Sequence, residues 1–311
     1  MMKIKITSRF GFTFLLVILM VLTLSACGSE DIPEEGSKGL LYQVEGGDNQ
    51  VYLFGSVHVG NEEMYPLHES VYEAFAEADV LGMEIDMMKK SEMEITGKIF
   101  QKGMYQDDRK ITDLVSEETY QDLIELLKFP GVDEEMLKKY KPWYAASELS
   151  VLAAMEAGYN PELGVENYLI ERAEEEGMES LGLETISMQY APEEKLSDKS
   201  QVIYLEQTME EMEEVAEELE KMVADWKDGD LDMFAEIRSE TIEAAETESL
   251  RKYHKALTDG RDEQMAQEIE QILHDDSGKT YFITVGSLHL AGENSIVEQL
   301  EDEGYEVNYM Y

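Results

Sequence analysis

The sequence has a single cysteine, Cys27, and only 25 lysine and arginine residues against 69 aspartate and glutamate residues. One cysteine excludes a disulfide bond within the chain and any zinc site built from several thiolates. The formal net charge of -44 repels phosphate backbones, so no nucleic-acid partner is expected. The sequence also lacks a P-loop, a His-Glu-x-x-His motif and a Gly-x-Ser-x-Gly elbow, which argues against the NTPases, zincins and serine hydrolases that carry them.

The N-terminus has the pattern of a lipoprotein signal peptide. Three basic residues precede an apolar run at 10–24, which is too short for a confident membrane span. The run ends in Leu24-Ser25-Ala26-Cys27-Gly28, the form of a bacterial lipobox. We therefore predict that residues 1–26 are removed, that Cys27 is lipidated and that residues 27–39 form a flexible tether to the extracytoplasmic face of the cell membrane. The alternative is an uncleaved anchor with an incidental cysteine.

Strand-like and helix-like patterns alternate at both ends of the remaining sequence. Residues 40–44 and 50–54 predict a β-hairpin. Residues 205–226 have apolar side chains at spacings of three and four, which predicts one long amphipathic helix. Further strands are predicted at 80–85, 180–183, 280–285 and 305–309, and further helices at 66–78, 165–176, 230–246, 261–273 and 295–303. These patterns predict an α/β fold over residues 40–311, in which a mixed β-sheet has flanking helices and a helical insertion at about 195–250.

A short element occurs twice, once near each end of this region. Gly55-Ser56-Val57-His58 and Gly286-Ser287-Leu288-His289 each follow an apolar strand, and each is followed by a further glycine. Residues just beyond the carboxyl ends of strands line the crevice in which α/β proteins bind their ligands. The two Gly-x-x-His segments are therefore predicted to bring His58 and His289 into one site.

Two carboxylates stand in similar places, because Glu84 and Glu184 each end a predicted strand. Two imidazoles and one or two carboxylates suit a divalent ion such as Zn²⁺, Mn²⁺, Co²⁺ or Fe²⁺, which can activate a water for attack on a carbonyl. A carboxylate that is not a ligand could act as the general base. The alternative is that each histidine is a structural, hydrogen-bonded residue. The other histidines lie in polar helical contexts and are predicted to be surface residues; they are His68, His254 and His274.

An ordered series of short motifs resembles the TraB/GumN family, which is related to Tiki-type proteins. The matching pieces are residues 53–60, Met83-Glu84, residues 164–169, Leu183-Glu184-Thr185 with Gln189, Arg261-Asp262, residues 285–292 and residues 304–307. The resemblance implies an α/β fold with both Gly-x-x-His segments in one site. It implies metal-dependent proteolysis near the amino ends of peptides for the Tiki branch, and reduced activity of secreted peptide pheromones for the TraB branch.

The resemblance also implies roles for individual residues. His58 and His289 would be metal ligands, and Glu84 would be a third ligand or the base. Glu184 and Arg261 would line the catalytic site, with Arg261 polarising the carbonyl or binding a substrate carboxylate. Asp262 stands where the family pattern leads us to expect asparagine, which adds a negative charge next to Arg261.

Three functional hypotheses follow. The first is a membrane-anchored, extracytoplasmic peptidase that depends on a divalent metal ion such as Mn²⁺, Co²⁺ or Zn²⁺ and acts on peptides or pheromone-like substrates. The second is a non-enzymatic lipoprotein of the same fold that binds or sequesters peptides. The third is an esterase or another hydrolase that uses the same site.

Overall fold

The computed structural model describes residues 36–127 and 133–311. The predicted signal peptide, Cys27 and most of the predicted tether lie outside these residues. The described chain contains one six-stranded sheet. Its strands are β1 (Leu40–Glu45), β2 (Gln50–Ser56), β3 (Val80–Met83), β4 (Glu179–Gly182), β5 (Thr280–Gly286) and β6 (Glu306–Tyr309).

The sheet is mixed, with the strand order β4-β3-β5-β2-β1-β6. Strands β4, β3, β5 and β2 run parallel to one another, whereas β1 is antiparallel to both β2 and β6. The carboxyl ends of four strands therefore meet at one edge, as the parallel arrangement requires. The predicted α/β fold with a mixed sheet is confirmed.

The repeated segments leave the sheet side by side. β2 and β5 are neighbours, and their register pairs Phe54 with Thr284 and Ser56 with Gly286. Both strands are buried along almost their whole length, as is usual for parallel strands covered by helices on both faces. His58 and His289 thus start from adjacent positions although more than two hundred residues separate them in the sequence.

Most of the described chain outside the sheet is helical. The helices are α1 (Glu69–Ala76), α2 (Glu92–Gly103), α3 (Glu117–Leu126), α4 (Glu134–Leu137), α5 (Pro142–Glu156), α6 (Val165–Glu176), α7 (Ile186–Gln189), α8 (Ala191–Lys195), α9 (Asp198–Glu211), α10 (Val215–Asp228), α11 (Leu231–Glu243), α12 (Glu248–Leu257), α13 (Asp259–Leu273) and α14 (Ile296–Asp302). None of the helices in the described ranges has the length and apolar character needed to cross a membrane.

The single long helix predicted from 205 to 226 is wrong, because the chain turns at residues 212–214 between α9 and α10. Glutamates at 210, 213, 214, 217 and 218 place like charges four residues apart across this turn, which disfavours a continuous helix. The two halves also bury their apolar faces in different places. Leu205 packs in a cluster with α3 and α5, whereas Trp226 packs in the core around the sheet.

Trp226 fixes the position of α10 relative to the sheet. Its indole is fully buried, and Nε1 donates a hydrogen bond to the carbonyl oxygen of Gly55 at 2.9 Å. Gly55 lies near the carboxyl end of β2, one residue before the strand ends. The helical region that follows α9 is therefore held close to the edge of the sheet from which His58 and His289 emerge.

Candidate active site

Both histidines of the repeated segments are held by a carboxylate at the same ring atom. Nδ1 of His58 lies 2.6 Å from Oε1 of Glu166, in the first turn of α6. Nδ1 of His289 lies 2.5 Å from Oδ1 of Asp262, in the first turn of α13. A carboxylate on Nδ1 fixes the ring orientation and leaves Nε2 for another partner, which is the usual arrangement of metal-binding histidines.

Gly286 marks the point at which the candidate ligands meet. A methyl group built on its Cα would lie 3.4 Å from Nε2 of His58, 3.5 Å from Oε1 of Glu84 and 3.5 Å from Cδ2 of His289. Its backbone N–H donates to Oε1 of Glu84 at 2.9 Å, and that oxygen is 3.7 Å from Nε2 of His289. The structure therefore brings His58, Glu84 and His289 around one small space, and that space is open because residue 286 has no side chain.

Arg261 joins the two strand-end carboxylates. Its NH2 atom donates to Oε2 of Glu84 at 2.6 Å and to Oε1 of Glu184 at 2.5 Å, and its Nε donates to Oε2 of Glu184 at 3.2 Å. Gln189 donates a further hydrogen bond to Oε2 of Glu84 at 3.0 Å. The Glu184 side chain is only 1% exposed, so it acts on the site through Arg261.

Asp262 does not pair with its neighbour Arg261, although the sequence places their charges next to each other. Consecutive residues of a helix point in different directions, and Asp262 faces His289 and Arg238 instead. NH1 of Arg238, in α11, donates to Oδ2 of Asp262 at 2.6 Å, and both side chains are buried. The extra negative charge at position 262 is thus neutralised by Arg238 while the carboxylate holds the His289 ring.

Burial and neighbouring charges shift the pKa values of several side chains in the site. The negative charge of Glu166 raises the pKa of His58 to about 9, although the His58 side chain is 66% exposed. Burial alone would raise the pKa of Glu84, but interactions with the neighbouring His289 and Arg261 hold it well below its ordinary value. Burial also raises the pKa of Glu184 despite its hydrogen bonds to Arg261. Each carboxylate of the site therefore depends on a neighbouring cation.

The donor set suits a divalent metal ion. Two Nε2 atoms and one carboxylate oxygen face a common space, and a carboxylate supports each imidazole. As the side chains stand, the described ranges hold no group of three His, Cys, Asp or Glu residues close enough to bind an ion. The residue types and the orientation of the rings fit a metal, and the three candidate ligands would have to move closer together to hold one.

Two cavities adjoin this centre and share His58 as a lining residue. The first has a volume of about 400 Å³, lies beside His289 and Arg261, and is bounded by helices α10 to α12. The second has a volume of about 330 Å³ and is lined by Glu84 and Glu166 together with apolar residues of α2. Pockets of this size accommodate small ligands or the side chains of larger ones.

The sequence patterns did not predict a role for several residues of the site. Glu166 and Gln189 lie within the matching motifs, but nothing distinguishes Glu166 from the other acidic residues of the chain. Arg238 lies in a helix far from any motif, and only its burial reveals its part in the site. Their partners come from distant parts of the sequence, so no local spacing could have identified them.

The prediction that all three remaining histidines lie on the surface is wrong for His254. This residue is half-buried in α12 and lines the first cavity together with His58 and His289. The predicted helices end at 246 and resume at 261, so the sequence patterns did not predict α12 or the face of this helix that is buried. His68 caps the N-terminus of α1, and the exposed His274 contacts the hydroxyl of Tyr305 at 2.7 Å.

Comparison with known proteins finds distant relatives that match most of the chain. The chain is 24% identical to the uncharacterized protein YbaP of Escherichia coli (strain K12) over 262 residues, which cover 82% of this chain and 89% of YbaP. It is 21% identical to the protein named metalloprotease TIKI1 of Danio rerio over 306 residues, which cover 84% of this chain but only 61% of that protein. No solved structure matches the chain. The model of the TraB/PrgY/gumN family matches residues 40–309, and the chain belongs to this family.

Proposed function

We propose that this protein is a metal-dependent hydrolase that cleaves peptides. The observation that carries the proposal is the convergence of His58, Glu84 and His289 on the open space at Gly286, with a carboxylate on Nδ1 of each histidine. A structural histidine at a strand end needs one hydrogen-bond partner. It does not need a second histidine and a glutamate arranged around the same unfilled space.

Each residue of the site has a distinct part in this proposal. His58 and His289 would hold the ion through Nε2, and Glu84 would hold it through Oε1. A bound divalent ion such as Mn²⁺, Co²⁺ or Zn²⁺ supplies Lewis-acid activation of a carbonyl. Glu166 and Asp262 keep the two rings in place. Arg261 and Gln189 bind the second oxygen of Glu84 and keep the first oxygen turned towards the centre.

A relative supports peptide bonds as the target. The Danio rerio protein that matches most of this chain is named a metalloprotease, and the two cavities that share His58 give room for groups of a peptide next to the candidate centre. The paired histidines favour an enzyme over a protein that only binds peptides, because binding alone gives no reason for this arrangement.

The test uses the full-length protein purified in detergent, with His58→Ala and His289→Ala variants. His274→Ala is the matched control, because His274 is an exposed histidine outside the site. We expect one equivalent of Mn²⁺, Co²⁺ or Zn²⁺ per chain and chelator-sensitive cleavage in a peptide library, both lost in the two site variants and kept in the control. A folded protein that takes up none of these ions and cleaves no peptide would contradict the proposal and favour a non-enzymatic peptide-binding lipoprotein.

We also propose that the protein is anchored to the extracytoplasmic face of the cell membrane through lipid on Cys27. The lipobox and the basic, apolar segment before it support this location. Two or more acyl chains would make the attachment stable. In detergent phase partitioning the mature protein should enter the detergent phase, and a Cys27→Ser variant should be recovered unprocessed; a mature, water-soluble protein without lipid would contradict the anchor.

A further inference from the structure

The first cavity differs from the rest of the molecule in its chemistry. We call it the helical pocket, because helices α10, α11 and α12 supply much of its wall. Its apolar lining consists chiefly of Val57, Met222, Phe234, Ile242, Leu257 and Leu288. It adjoins the candidate centre, since His58, Gly286 and His289 are among its lining residues.

No aspartate or glutamate is among the described residues that line the helical pocket, although the chain has 69 acidic residues. Two arginines also line the pocket, and carboxylates that do not line it neutralise their charges. Arg238 pairs with Asp259 and Asp262, and Arg261 pairs with Glu84 and Glu184. The pocket therefore offers an apolar surface with little net charge.

His254 does not alter this character. It is half-buried in the wall of the pocket, where burial lowers its pKa. Its imidazole is therefore neutral at physiological pH and adds a polar atom without adding a charge. The other polar side chains of the pocket are hydroxyls such as those of Thr241 and Thr258.

We propose that the helical pocket binds a large apolar side chain of the peptide substrate next to the bond that is cleaved, and that α10 to α12 thereby set the specificity of the enzyme. This inference rests on the proposed function. Its volume of about 400 Å³ is within the usual range for pockets that bind small ligands, which leaves room for a large side chain. Its position beside His289 places the occupant next to the centre, and the lack of charge disfavours acidic or basic side chains there.

The second cavity, which shares His58 with the helical pocket, has a different lining. It is also partly apolar, through residues such as Ile95 and Ile99, but Glu84 and Glu166 line it as well. An apolar requirement is therefore expected only on the side of the helical pocket. Ile242 and Ile99 are both half-buried isoleucines on helices, one in each cavity, so they form a matched pair for mutation.

The test compares Ile242→Glu with Ile99→Glu in the full-length protein, with circular dichroism as a check on folding. The probes are fluorescein-labelled peptides Ala-Ala-Xaa-Ala-Ala in which Xaa is Phe, Leu, Ala, Lys or Asp. Binding is measured by fluorescence anisotropy in EDTA, where no metal-dependent cleavage occurs, and cleavage is measured separately with added Mn²⁺.

We expect the unmodified protein to bind the Phe and Leu peptides about 10- to 100-fold more tightly than the Asp peptide, as burial of one such side chain allows. Ile242→Glu should lose this preference and favour the Lys peptide, whereas Ile99→Glu should keep it. Equal binding of all five peptides, or equal effects of the two substitutions, would overturn the inference. Selective binding without cleavage would instead overturn the proposed function and leave the pocket as a peptide-binding site.

Discussion

At the scale of single residues, the absence of a side chain at position 286 determines what the site can hold. His58, Glu84 and His289 surround the place that a Cβ atom would occupy there. The backbone of Gly286 has φ -55° and ψ 139°, which any residue can adopt. Glycine is therefore not needed for the conformation of the chain, and it keeps the centre open.

Gly286→Ala should leave the fold intact and crowd the centre. The added methyl group would make ordinary contacts of 3.4 to 3.5 Å, so the thermal midpoint should change little, while metal affinity should weaken and cleavage should fall by about 100-fold. The control is Gly97→Ala in α2, where a Cβ atom meets open space. An unchanged metal affinity of Gly286→Ala, measured by mass spectrometry of the bound ion, would show that the ligands do not meet at this point.

The sequence predicted some of these residues and could not have predicted others. His58 and His289 were found because the same motif follows two strands, and Glu84 was found because it ends a strand. Glu166, Asp262 and Arg238 hold the site together through contacts between distant segments. Such contacts depend on how helices dock on the sheet, which local periodicity does not encode.

At the scale of elements, Arg238 connects three parts of the structure. From α11 it donates to Asp262 and Asp259 in α13 and, at 2.8 Å, to the carbonyl oxygen of Leu288, next to His289. Its side chain is 2% exposed and that of Asp262 is fully buried. The position of His289 therefore depends on how α11 and α13 pack together.

Arg238→Met should destabilise the protein strongly, because it leaves the carboxylate of Asp262 buried without its cation. Removing one partner of a buried ion pair costs about 3–5 kcal/mol, and urea unfolding would measure the loss. Arg251→Met is the control, since Arg251 forms an exposed pair with Glu248 in the neighbouring helix α12 and such pairs contribute little. Equal effects of the two substitutions would argue against a structural role for the Arg238 pair.

Helix α8 contains another buried carboxylate, Glu193, whose effect on stability should depend on pH. Burial raises the pKa of Glu193 from 4.5 to about 7, and a hydrogen bond from its own backbone N–H and the positive charge of Arg261 oppose this shift only in part. Its Oε2 atom has no hydrogen-bond partner among the described residues. The folded state therefore retains a proton that the unfolded state releases, and stability should fall as the pH rises from 4.5 to 7.

Glu193→Gln should remove this effect, because the amide does not ionise. At pH 8 the variant should be more stable than the unmodified protein by up to about 3 kcal/mol, and at pH 4.5 the two should differ little. Urea unfolding at both pH values measures the difference, with Glu194→Gln as the exposed neighbouring control. A Glu193→Gln variant that is less stable at pH 8 would show that the charged carboxylate is stabilised in the fold.

At the scale of the whole molecule, the order of strands and helices was predictable and the packing of the helices was not. Alternating strand and helix patterns near both ends predicted the mixed sheet, and the structure confirms it. The region between them is rich in glutamate and methionine. Its apolar spacing continues across the turn between α9 and α10 and therefore predicted a single helix. Each helix packs in a particular hydrophobic cluster because of tertiary contacts, and a short stretch of sequence does not predict such contacts.

The net charge of -44 should make stability depend on ionic strength. Repulsion among so many carboxylates opposes the compact state, and raising NaCl from 0.01 to 1 M shortens the screening length from about 30 Å to about 3 Å. The midpoint of urea unfolding should therefore rise with salt, to the same extent in NaCl and KCl. A midpoint that is constant or falls would show that favourable ion pairs outweigh the repulsion.

The register of β2 and β5 has a consequence for how this chain can vary. Because the two strands are neighbours, the spacing of His58 and His289 is set by the distance of about 4.8 Å between adjacent strands. The segment of the chain between β2 and β5 is long, but it begins and ends at neighbouring strands of the sheet. Helices α10 and α12 lie in this segment and supply Met222, His254 and Leu257 to the helical pocket, but none of the candidate ligands or their carboxylate partners. Changes confined to those two helices can therefore alter the selectivity of the pocket while the candidate centre is kept.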